Sequence, residues 1–107
     1  MSKVVDLTAI LTPNPGKIER IVALFRAVEK AAKAGEPGTL RYEMHKGIKD
    51  KNGGVEELVV REVEEAMQTH IAGSDCQVFI KAMEAESLCE NVKVIFHKPI
   101  VGVESRL

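Results

Sequence analysis

From Val4 to Leu11 apolar residues alternate with others, so Val5, Leu7, Ala9 and Leu11 share one face of a predicted strand and Asp6 and Thr8 the opposite one. Thr12-Pro13-Asn14-Pro15 ends the run, with Asn14 expected as a helix N-cap and Pro15 at the first helical position, where its missing N–H costs nothing. The period then changes. Ile18, Ile21, Val22, Phe25, Val28 and Ala32 form one helical stripe reaching to about Ala34. Lys30 and Lys33 suit the negative end of the helix dipole, and Gly35 is the expected C′ residue.

Alternation returns in Thr39–Ile48, with Leu40, Tyr42 and Met44 on one face and Arg41, Glu43 and His45 on the other. Lys49-Asp50-Lys51-Asn52-Gly53-Gly54 has the chemistry of a hairpin connection, and Glu57–Val63 forms the partner strand, with Leu58, Val60 and Glu62 on one face. A short helix follows over Glu64–Ala72, where Met67, His70 and Ile71 share a face; Gly73 stops it. Ser74 and Gln77 have the spacing of a capping box for a helix over Asp75–Ala85, whose stripe is Cys76, Phe79, Ile80 and Met83. Asn91–Ile100 is a last strand with Val92, Val94 and Phe96 on one face, Lys93, Ile95 and His97 on the other, and Pro99 at its end.

The order β-α-β-β-α-α-β is a split β-α-β pattern with a broken second helix. Right-handed crossovers then give an α+β fold, a ferredoxin-like antiparallel sheet with its helices on one face, expected as a single domain over residues 1–107. The opposite face carries Ile10, Val59, Val63 and Ile95 among charged residues, too much apolar surface to leave in water. A second sheet is the natural cover, so a homodimer packed sheet to sheet is expected.

Composition narrows the function classes. Fifteen basic against sixteen acidic residues give a net charge of -1, which provides no basic field for nucleic acid or an anionic membrane. No apolar run approaches the roughly 18 residues of a membrane helix, and Met1–Leu7 lacks a signal-peptide core, so a cytoplasmic location is expected. Cys76 and Cys89 fit no zinc or redox spacing and are expected unpaired; no metal site is expected. With no tryptophan, one tyrosine and three phenylalanines, any pocket is lined mainly by aliphatic and methionine side chains.

Thr39–Ile48 and Glu57–Met83 are similar to segments of the antibiotic biosynthesis monooxygenase domains, the dimeric α+β barrels, with His70, Ser74 and Phe79 at matching positions. The resemblance spans nearly the whole chain. It implies a ferredoxin-like dimer with a pocket between sheet and helices in each subunit. Members include cofactor-free oxygenases of quinols and anthrones, haem-degrading enzymes and proteins without assigned activity. The haem-degrading asparagine, tryptophan and histidine are not matched: Asp6 or Thr8, Arg61 or Glu62, and Lys81 stand in those regions. Of the anthrone oxygenases' pocket residues, Tyr42 and Arg61 are loose counterparts.

His70, Glu62 and Tyr42 are therefore the candidate catalytic residues, with Arg61, Met67, Phe79, Met83 and Phe96 as candidate substrate contacts. An imidazole suits proton transfer near neutrality, although a histidine on an apolar helix face more often serves structure. Glu62, if buried, would have a raised pKa or pair with His70; its strand-end position favours a carboxylate that reaches solvent. Tyr42 could orient a phenolic substrate or satisfy a core hydrogen bond. The resemblance implies cofactor-independent monooxygenation of a phenolic, quinol or anthrone-like molecule, with no cofactor. The alternatives are a non-catalytic small-molecule-binding or stress-associated dimer, and a non-oxidative polyketide-modifying enzyme.

Overall fold

A computed structural model describes residues 4–65 and 67–102. The elements are β1 (Val5–Pro13), α1 (Ile18–Gly35), β2 (Thr39–Lys46), a 3₁₀ turn (Lys49–Lys51), β3 (Leu58–Glu64), α2 (Met67–Ala72), α3 (Ser74–Ala85) and β4 (Cys89–His97). The sheet order is β2-β3-β1-β4 with every neighbouring pair antiparallel, the ferredoxin-like arrangement expected from the element order. No helix among the described residues is long and apolar enough to cross a membrane.

The period-two pattern decides which face is inside. Leu7, Ala9 and Leu11 of β1 and Leu58 and Val60 of β3 are buried against Ile21, Leu24 and Phe25 of α1, with Leu88 closing the end of the core. Each fully buried side chain of this size contributes roughly 1.5–3 kcal/mol. Leu24 joins this stripe, while Ile18 and Val22 of the expected stripe stay half-buried at its edge.

Several expected boundaries move. Asn14 does not cap α1, which starts at Ile18 after Lys17. Asn14-Pro15-Gly16-Lys17 instead closes a turn through Lys17 N–H donating to the Asn14 carbonyl at 3.1 Å, with Gly16 at φ +78°. Proline then glycine at the two central positions is the type II signature, which competes with helix initiation. The freed Asn14 amide donates to the Ser87 carbonyl at 2.7 Å, tying this turn to the one before β4. Gly35 is the last helical residue rather than C′, and Glu36 takes the C-cap, its N–H donating to the Ala32 carbonyl.

Glu64 ends β3 at 1% exposure instead of opening a helix. The capping box does not form: Gly73 is the N-cap, and the Gln77 amide donates to the Ile71 carbonyl at 2.7 Å. The β2–β3 register shifts between Thr39 and Arg41, so Leu40 is the extra residue of a bulge, 54% exposed and outside the core. The last strand spans Cys89–His97, ending before Pro99 rather than at Ile100.

Candidate functional site

No residue of α3 is fully buried, because a cavity of about 410 Å³ separates this helix from the sheet. Leu7, Ala9, Leu11 and Val60 form its floor, Val92 and Val94 of β4 one wall, and Cys76, Phe79 and Met83 of α3 the cover. Phe96, 63% exposed, stands at the open side, and Met67 and Ile71 of α2 close one end. The lining is almost wholly apolar, the composition of a small-molecule pocket with a few placed polar groups.

Apart from Glu84 of α3, those polar groups come from β3, β2 and α2. Glu62 continues the inward-facing series Leu58, Val60, and Tyr42 lies beside it on β2, its register partner. His70 is 1% exposed, on the inner side of α2. Its Nδ1 lies 2.9 Å from Glu36 Oε1, an N–H donating to the carboxylate, and its Nε2 lies 3.7 Å from Glu62 Oε2. The ring packs edge-on against Tyr42 with centroids 5.0 Å apart, and Tyr42 in turn stacks on Phe25 at 4.3 Å. Behind His70, Glu64 accepts from Thr39 Oγ1 at 2.9 Å through Oε1 and directs Oε2 to 3.6 Å from Nδ1. One imidazole is thus surrounded by three carboxylates in a nearly dry place.

The electrostatic consequence is clearest at Glu62. Burial pushes its carboxyl up from 4.5 to about 7; the Glu64 and Glu36 charges push the same way, while His70 pulls it down. The folded chain therefore favours the protonated form. That contribution to stability is complete below 4.5, the unfolded value, and is lost as pH rises through about 7. Burial likewise raises Glu64, and burial together with the Glu62 charge raises Tyr42 so far that its hydroxyl stays a proton donor. Cys76 is pushed up to about 11, first by burial and then by the same carboxylates.

The cavity brings together His70, Glu62, Tyr42, Met67, Phe79, Met83 and Phe96. Glu62 does not reach solvent as its strand-end position implied, because α2 and α3 cover that end of β3 and leave its side chain 13% exposed. Arg61 is the correction. As the neighbour of Glu62 on a strand it points to the opposite face, donating to Thr8 Oγ1 at 2.6 Å and Asp6 Oδ1 at 3.2 Å, with His97 Nε2 at 3.1 Å. It cannot hold an anion in the pocket. His45 and His97 lie on the two edge strands, β2 and β4. Cys76 and Cys89 are both free.

Glu36 and Glu64 were missed. Glu64 carried a signal, since it continues the series Leu58, Val60, Glu62 by one more step of two; Glu36 carried none.

No family model matches the sequence, and no curated protein does either. Among solved structures, protein PA3566 of Pseudomonas aeruginosa is similar with a TM-score of 0.75 and 25% identity, covering 94% of this chain and 98% of its own. Rv0793 of Mycobacterium tuberculosis has a TM-score of 0.75 and 21% identity, with 95% and 100% covered. A Caulobacter crescentus protein provisionally named an antibiotic biosynthesis monooxygenase reaches 0.76 at 18% identity, with 92% and 91% covered. The fold is that of the antibiotic biosynthesis monooxygenase domains. The agreement runs over almost the full length of both partners in each comparison.

Proposed function

We propose that this chain is a homodimeric, cofactor-independent monooxygenase of a phenolic, quinol or anthrone-like small molecule, working in the cytosol, where Cys76 and Cys89 would stay reduced. The observation that carries the reading is a carboxylate and an imidazole, Glu62 and His70, set 3.7 Å apart in a mostly apolar cavity sized for a small aromatic ring system. In such a site the Glu62–His70 pair removes an acidic proton from the substrate, and the Tyr42 hydroxyl donates to the oxygen on which the negative charge collects. The carbanion-like substrate then reduces O₂ itself: a ring CH₂ becomes C=O as one oxygen atom enters the product and the other leaves as water. All the electrons come from the substrate, and the apolar walls keep water from the reactive anion.

A second reading, a non-catalytic binding dimer, draws support from Arg61, because its outward position leaves no arginine or lysine in the cavity lining to hold an anion. Oxygen uptake by purified protein, across hydroquinones, anthrones and catechols, separates the two. Autoxidation and the Glu62→Gln and His70→Asn proteins serve as blanks. The proposal expects uptake above every blank, with at least a hundredfold loss in each variant. Uptake equal to autoxidation, together with a ligand that raises Tm but is never consumed, would assign the chain to the binding reading. Turnover of the same substrates without O₂ would assign it to non-oxidative chemistry.

A further inference from the structure

Neither Glu36 nor Glu64 lines the cavity; both stand behind His70, on its Nδ1 side. We propose that Glu36, Glu64 and His70 Nδ1 form a binding site for one divalent first-row transition cation, with zinc the best fit. The three side chains each offer one ligand atom, and these atoms all lie within 4.8 Å of one another. Nδ1 is 2.9 Å from Glu36 Oε1 and 3.6 Å from Glu64 Oε2. Zinc bonds of about 2.0–2.2 Å arranged tetrahedrally set ligand atoms roughly 3.3–3.6 Å apart, close to the two separations from Nδ1, so modest side-chain adjustment completes three corners and leaves a fourth for water.

An independent observation points the same way. Glu64 is 1% exposed, yet its Oε2 has no hydrogen-bond partner. Its other oxygen is fixed by Thr39 Oγ1 at 2.9 Å, which orients the carboxylate as an outer-shell partner does in a metal site. A buried carboxylate oxygen without a partner is costly, and a cation at this point satisfies it. Charge agrees: two carboxylates and a neutral imidazole present two negative charges, which a divalent ion cancels. One nitrogen and two carboxylate oxygens suit a borderline ion such as zinc, whereas calcium demands six to eight oxygens. Glu36 supplies the way in, because its side chain is 21% exposed at the C-cap of α1. With Nδ1 so engaged, the ring proton resides on Nε2, directed at Glu62.

The test is calorimetric titration of chelator-treated protein with zinc, without substrate, so that its result is independent of any oxygenase activity. The expected result is one zinc per chain, a Tm increase on the order of 10 °C in hundredfold excess over Kd, and proton release on binding. Glu64→Gln and Glu36→Gln should each weaken binding by roughly 100-fold and Thr39→Ala about tenfold, while His45→Gln and His97→Gln leave it unchanged. Glu64→Gln removes a buried charge with little change of shape; if it does not fold, the more exposed Glu36→Gln decides. Absence of binding, or zinc binding that survives Glu36→Gln and Glu64→Gln or disappears with His45, overturns the proposal.

Discussion

Cys76 shows how the cavity acts on a single side chain. It lies half-buried on α3, lines the cavity, and its thiol is pushed from 9.0 to about 11 because burial penalises the thiolate, with Glu62, Glu36 and Glu64 adding like-charge repulsion. At pH 8 the two-unit rise lowers its thiolate fraction about 100-fold, and the greater nucleophilicity of a more basic thiolate returns roughly tenfold. In a Cys89→Ser protein, labelling of Cys76 by a disulfide reagent should therefore be about tenfold slower than in the urea-unfolded chain, rising with pH without a plateau below 10. Equal rates in the folded and unfolded chains would show that neither burial nor the carboxylates hold the Cys76 thiol up. At this scale the sequence was legible where a residue type is rare or chemically distinctive, as for His70 and Tyr42. It was not legible for Glu36, one of sixteen acidic residues, which reaches His70 only because α1 ends beside it.

The elements were legible wherever one face is buried, since a strand such as Val5–Pro13 must then alternate and a helix such as Ile18–Gly35 must carry a stripe. Their ends were less so, because capping and turn signals compete for the same residues. Asn14-Pro15-Gly16 satisfies both a helix start and a type II turn, and the turn wins because Gly16 accepts φ +78° without strain while Asn14 gains the Ser87 carbonyl. Ser74 likewise matches a capping box that the chain does not build, since Gly73 already holds the N-cap position. These two residues give a matched pair of predictions. Ser74→Ala should change stability by less than about 0.5 kcal/mol in urea titration, because no cap hydrogen bond is lost. Asn14→Ala should cost roughly 1 kcal/mol, because its amide releases the Ser87 carbonyl of the turn that sets β4 in register. The reverse order would restore the capping box and remove the turn-to-turn tie.

For the whole molecule, the face of the sheet away from the helices is where the proposed association can be tested. Ile10, Val59 and Val63 are half-buried there and Ile95 is 38% exposed, around a polar network in which Arg61 joins Asp6, Thr8 and His97. Ile10 sits on β1 opposite Val59 on one side and Lys93 on the other, so its row crosses the middle of the sheet. An apolar centre with a self-contained ion network suits a second copy of the same face, packed about 10 Å away around a two-fold axis. Because an isologous contact uses each residue twice, Ile10→Lys would introduce two buried cations for one substitution, an uncompensated desolvation of several kcal/mol. Light scattering at micromolar concentration should therefore find a dimer for the natural chain and a monomer for Ile10→Lys. The cavity lies on the other face of the sheet, so the monomeric variant should keep the slow Cys76 labelling of the dimer. A dimer that persists in Ile10→Lys would exclude sheet-to-sheet packing. A monomer with fast Cys76 labelling would instead show that the cavity needs its partner to keep α3 in place.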